Sequence, residues 1–106
     1  MAISVARDFS QTPGPRSREE GDFSGEEFLK TLLKPQFIAA VTNGQKLMID
    51  LDGTEGYATS FLEAAFGGLA REYEASQILD TITFKCEDEP YLAQEITKYI
   101  RDARKK

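Results

Sequence analysis

Leu47-Met48-Ile49-Asp50-Leu51-Asp52-Gly53 is the stretch on which the fold turns. Leu47, Met48, Ile49 and Leu51 make a compact apolar run, with Asn43-Gly44 before it and Asp52-Gly53 after it. Successive side chains on a strand point to opposite faces, so an apolar run bounded by turn residues predicts a central strand covered on both faces. Downstream, Ser60 stands three residues before Glu63 in the spacing of a capping box, and Leu62, Ala65, Phe66, Leu69 and Tyr73 recur at helical intervals. These signals predict a helix over residues 60–74 that begins at Ser60. Ile82, Phe84 and Cys86 then alternate with Thr81, Thr83 and Lys85, which predicts a strand over 78–86. Asp88-Glu89-Pro90 opens a terminal helix whose apolar side is Leu92, Ile96, Tyr99 and Ile100.

Upstream, Ser24 and Glu27 form a second capping box, and Phe23 and Phe28 occupy the two positions of a hydrophobic staple. Phe28, Leu29, Leu32 and Leu33 line one face of that helix. Pro35 lacks a backbone donor and restricts Lys34, so it is expected to end the helix and open a short second one carrying Phe37, Ile38 and Val41. Ile3, Val5 and Phe9 fall on a period of two and predict a first strand over 3–9. Between them, residues 10–22 hold Pro13, Gly14, Pro15 and Gly21 and predict a long exposed loop. Strand, loop, helices, strand, helix, strand, helix is the order of an α/β domain, its small mixed or parallel sheet joined by right-handed crossovers and covered by helices. At 106 residues the chain fits one domain, 1–106.

Composition narrows the function classes. A formal net charge of -5 opposes the attraction to phosphate backbones and anionic lipid on which nucleic-acid and membrane-surface proteins depend. The one strongly basic stretch, Arg101, Arg104, Lys105 and Lys106, reads as a complement to the negative end of the last helix. No histidine is present, which removes the commonest metal ligand and neutral-pH acid/base, and the single Cys86 cannot form an internal disulfide and reads as a small core hydrophobe. No basic leader and no apolar window of membrane-spanning length occurs, so a cytoplasmic address is expected. Asp50 and Asp52 share a strand face, yet nothing in the sequence converges on them as a metal or acid/base site. Gly67-Gly68 in mid-helix costs about 1 kcal/mol per glycine against alanine, which predicts close approach of another backbone, expected to be the protein's own sheet.

The segment from Leu47 to Tyr73 resembles a STAS domain: Asp50-Leu51-Asp52-Gly53-Thr54 is similar to the strand end of that family, and Ala58-Thr59-Ser60-Phe61 occupies its turn. Ser24-Gly25-Glu26-Glu27-Phe28 and Ser60-Phe61-Leu62-Glu63-Ala64-Ala65-Phe66-Gly67-Gly68-Leu69 resemble, more closely, a bacterial STAS-like family of unassigned function. The resemblance implies a non-catalytic regulatory domain that binds and releases protein partners, with no cofactor and no catalytic residues. It places the phosphoacceptor of the phosphorylated STAS antagonists at Thr59, with Ser60 beside it, and implies a histidine-kinase-like ATPase as the regulatory partner. The turn departs from the family pattern, with Ala58 in place of aspartate and Phe61 in place of glycine.

A helix N-terminus offers free N–H groups and partial positive charge to a phosphoryl group, whereas Glu55 and Glu63 would repel it. Partner binding is therefore expected to centre on Tyr57, Ala58, Thr59, Ser60, Phe61 and Glu63. The rival reading is a small-molecule or anion site, or a minor enzyme, built from the 10–22 loop and helix N-termini, with Arg16, Arg18, Ser24 and Gly25 as its groups. A pocket beneath that loop would favour the rival, and an exposed apolar groove near Tyr57 to Phe66 the partner switch. A homodimer is left open by the sequence.

Overall fold

Three short parallel strands carry the fold in the computed structural model, which describes residues 1–103. β1 (Ala2–Ser4), β2 (Leu47–Asp50) and β3 (Ile82–Lys85) lie side by side in chain order, with β2 in the middle as its apolar run predicts. Ile3 lies opposite Ile49, and Ile49 opposite Phe84. Parallel neighbours need long crossovers, and helices supply them: α1 (residues 25–43) joins β1 to β2, α2 (residues 59–70) and α3 (Ala75–Thr81) join β2 to β3, and α4 (Leu92–Asp102) follows.

One face of the sheet is covered, not two. Ile3, Leu47, Ile49 and Ile82 are buried together with Leu33, Phe37, Phe66 and Leu69 of the helices and with Ile96 and Ile100 of α4. Across the pleat, Ala2, Ser4, Met48, Asp50, Thr83 and Lys85 are exposed or half-buried. The run in β2 reads as doubly buried only because Met48, long and flexible, sits on the open side.

Four boundaries differ from expectation, each for a local reason. β1 stops at Ser4, where the Ser4 N–H donates to the Asp8 carboxylate (2.8 Å) and the Ser4 hydroxyl accepts from the Arg7 N–H (3.2 Å). These side chains offer the backbone an alternative to the ladder, and Val5–Phe9 closes as a π-helical turn with Val5 still buried. Pro35 does not end α1. A π-turn over Leu29–Leu33 precedes it, with the Lys34 N–H reaching back to Leu29, and this wider turn admits the proline ring without breaking the axis. α2 ends at Ala70, so Tyr73 lies beyond the helix and meets Phe37 edge-on at 5.2 Å. Finally, Ile78 belongs to α3 and not to a strand: its N–H donates to the Glu74 carbonyl and its side chain is fully buried, so β-branched propensity yields to tertiary packing.

No other backbone approaches the glycine pair mid-α2, contrary to expectation; the neighbours are side chains, Leu29 of α1 at Gly68 and Glu63 of α2 itself at Gly67. A Cβ on Gly68 would lie 2.8 Å from Leu29 Cδ2, and one on Gly67 would collide with the Glu63 carboxylate. α1 and α2 approach again where a Cβ on Gly25 would collide with the Phe61 carbonyl oxygen. Arg101 does sit in the last turn of α4, beside its negative end; Arg104, Lys105 and Lys106 lie outside the described residues.

Candidate functional site

The carboxyl ends of the parallel strands converge on the segment from Leu51 to Glu63. Asp50 accepts the Asp52 N–H at 3.0 Å, which starts the turn. Asp52 then bridges to the exit of β3, accepting the Asp88 N–H (2.9 Å) and the Lys85 ammonium (3.0 Å). Those partners hold the Asp52 carboxyl below its ordinary range, the Asp88 N–H most strongly, and the Asp52 and Glu87 carboxylates raise Lys85 in return. Asp50 is thus occupied within its own turn and Asp52 in tying two loops together. Cys86 is half-buried, its sulfur 3.7 Å from the Pro90 carbonyl oxygen.

Tyr57 closes the turn. Its hydroxyl donates to the Leu51 carbonyl at 2.8 Å, its ring lies 5.9 Å from that of Phe61, and burial raises its phenol above the ordinary value. Ala58, at φ -72° and ψ 143°, takes the N-cap position of α2, and no side chain caps the helix. Ser60 is therefore not the cap: it is the second helical residue, and Thr59 the first. Ala58 and Thr59 are exposed and Ser60 half-buried, whereas Phe61 is buried in the core beside Phe28.

One turn further on, Glu63 gathers two arginines, accepting from Arg16 through one carboxylate oxygen and from Arg71 through the other. Burial pushes its carboxyl up, but the two guanidiniums together outweigh that and hold it below its ordinary value. Gly67 makes room for this arrangement, since any side chain there would meet the Glu63 carboxylate. The Glu63 role was only half-legible in the sequence: a glycine four residues on hints at space above it and Arg71 caps the same helix, but Arg16 reaches it from a segment no spacing connects.

The 10–22 segment is fastened rather than free. The Gln11 carbonyl accepts the Glu55 N–H (2.8 Å), and the Gly14 N–H donates to the Phe23 carbonyl (2.8 Å). The Pro15 and Arg16 carbonyls accept the Gly25 (2.8 Å) and Glu26 (3.0 Å) N–H groups at the start of α1. Ser24 does cap α1, fully buried, its hydroxyl accepting the Glu27 N–H at 3.0 Å. The expected staple runs through a third ring: Phe9 meets Phe23 at 5.6 Å and Phe28 at 5.2 Å. Phe23 itself has φ 54°, a strained value for a bulky residue.

These contacts bear on both readings of the surface. Arg16, Arg18, Ser24 and Gly25 do not form an open anion site: Ser24 and Gly25 are buried, the Gly25 N–H is bonded within the chain, Arg16 is paired with Glu63, and the exposed Arg18 has its N–H on the Glu26 carboxylate at 3.5 Å. Nor does an apolar groove run along Tyr57 to Phe66, because Phe61 and Phe66 are buried. The exposed apolar hollow lies elsewhere, about 170 Å³ lined by Phe37, Ile38, Val41, Thr42, Tyr73 and Gln77, with Ile38 at 42% exposure. Phe37, Ile38, Val41 and Tyr73 were legible on helices, but not as one surface, because Tyr73 reaches it from outside the helix assigned to it and Gln77 from α3, a helix the sequence pattern does not predict.

Fold and turn together define a small parallel α/β domain in which the loop after the central strand opens a helix at the surface. The chain belongs to the family described as a STAS-like domain of unknown function, whose model matches residues 24–92. That match takes in α1, β2, α2, α3 and β3 and reaches the first residue of α4, while β1 and nearly all of the fastened segment lie before it. No curated protein and no solved structure matches the chain. Among the described residues no helix is long and apolar enough to cross a membrane.

Proposed function

We propose that this domain is a non-catalytic regulatory module that binds a protein partner over Tyr57 to Glu63, with Thr59, flanked by Ser60, as the residue whose phosphorylation by a kinase-like partner releases it. The supporting observation is the exposed Thr59 at the first position of a helix that no side chain caps. Such a start leaves backbone donors and the positive end of the helix beside the hydroxyl, where a phosphoryl group has something to bond. Family membership supports the regulatory class, and the chain contains neither histidine nor a phosphate-cradling Gly-x-x-x-x-Gly-Lys loop. The anion-site alternative has less support, because the donors it needs are bonded within the chain.

The reading is tested with the purified chain incubated with ATP and an extract of its native host, followed by mass spectrometry and partner recovery. Phosphate is expected on Thr59 or Ser60. Thr59→Glu should recover less partner than wild type by adding like charge beside Glu55 and Glu63, and Thr59→Ala should recover about as much. Equal recovery with wild type and Thr59→Glu, together with no phosphate at either residue, rejects the switch.

A further inference from the structure

We propose that residues 10–24 form a releasable strap, latched by Glu63, that opens as a unit while the rest of the domain stays folded. Three features of the segment support this. Its attachments are few and, apart from the Ser24 cap on the Glu27 and Phe28 N–H groups, lie at the surface: the Pro15 and Arg16 carbonyls on the Gly25 and Glu26 N–H groups, the Arg18 N–H on the Glu26 carboxylate, the Gln11 carbonyl on Glu55, the Ser10 N–H on the Val5 carbonyl, and the Arg16 guanidinium on Glu63. It contributes little to the core, since Ser24 alone of these residues is buried and the exposed Phe23 meets only the half-buried edge of Phe9. And it is closed against strain, because Phe23 holds φ 54° where the Gly14 N–H meets its carbonyl, and a Cβ on Gly14 would collide with the Asp22 carbonyl oxygen.

A segment with few buried apolar contacts and surface-exposed hydrogen bonds opens at a lower free energy than the core it lies on. Glu63 decides how far the balance tips. It is fixed on α2 and held from the other side by Arg71, so it presents a prepositioned carboxylate to Arg16, and among the described residues this is the only side-chain ion pair between the strap and the helices. Opening would free the Gly25 and Glu26 N–H groups at the start of α1 and uncover the edge of the Phe9, Phe28 and Phe61 cluster. The strap therefore occupies the ground that the anion-site reading assigned to a ligand. This device goes beyond the partner-binding reading and does not depend on it, because it is measured on the chain alone.

Amide hydrogen exchange followed by NMR on the full chain tests it, with Gly25 and Glu26 as reporters of the strap and the Leu51 N–H, bonded to the Lys85 carbonyl at 2.7 Å, as reporter of the sheet. In wild type the two strap reporters should exchange faster than Leu51. Glu63→Gln and Arg16→Gln should each speed Gly25 and Glu26 about fivefold, the scale of losing surface ion pairs, and leave Leu51 unmoved. Glu72→Gln, which breaks the Lys34–Glu72 pair elsewhere on the surface, should move neither. Exchange of Gly25 and Glu26 at the Leu51 rate, no response to either latch variant, or an equal rise at all three amides would each overturn the strap.

Discussion

Ala58 occupies a cap position without a capping side chain, and that makes the start of α2 improvable. Ala58→Ser supplies an oxygen for the N–H of the second or third helical residue and should raise stability by about 1 kcal/mol. Ser60→Ala, inside the helix, should change it by no more than about 0.5 kcal/mol, since surface substitutions away from special features stay near that size. Urea titration of the two variants checks the pair. A larger loss from Ser60→Ala than gain from Ala58→Ser would return the cap to Ser60. The sequence misplaces this cap because two hydroxyl residues stand side by side with a glutamate three beyond the second, and backbone angles, not residue types, decide which one lies outside the helix.

At the scale of elements, α1 and α2 meet where Gly68 has no side chain. Gly68→Ala gains about 1 kcal/mol of helix propensity but drives a methyl against Leu29 Cδ2, 2.8 Å away. The clash is with the end of a side chain that can turn aside, so the two effects are expected to offset and leave stability within about 0.5 kcal/mol of wild type by chemical denaturation. A larger loss would mean that Leu29 cannot turn aside.

Elements with strong periodicity were legible: β2, the body of α2 and the apolar side of α4 stand where their patterns put them. Those set by local hydrogen bonding or by packing were not. β1 ends early because Asp8 folds back on Ser4, α1 survives Pro35 because a π-turn absorbs it, and α3 replaces half of a strand because Ile78 finds the core from a helix. The site divides in the same way. The turn at Thr59 was visible as a motif, whereas the Arg16–Glu63–Arg71 cluster forms only once the 10–22 segment lies against α2.

For the whole molecule, the carboxylates of Asp8, Asp52 and Glu63 connect electrostatics to stability. All three are held below their ordinary values of 3.8, 3.8 and 4.5, so folding favours their charged forms. That contribution is complete above about pH 5 and is lost as the pH falls through the depressed values. The melting temperature should therefore drop between about pH 5 and about pH 3, and drop less in an Asp52→Asn/Glu63→Gln double variant. Parallel acid profiles for the variant and wild type would show that these groups do not carry the effect.

Chain-order pairing of three parallel strands also has a history in time. The Met1 amine bonds to the Lys46 carbonyl, 45 residues along, at the place where β1 meets β2. At about 5–20 residues per second of synthesis, β1 waits several seconds for the strand it pairs with. Throughout that wait Ile3 and Val5 lack the strand that covers them, and because β1 pairs with β2, that pair is available before β3 has been made.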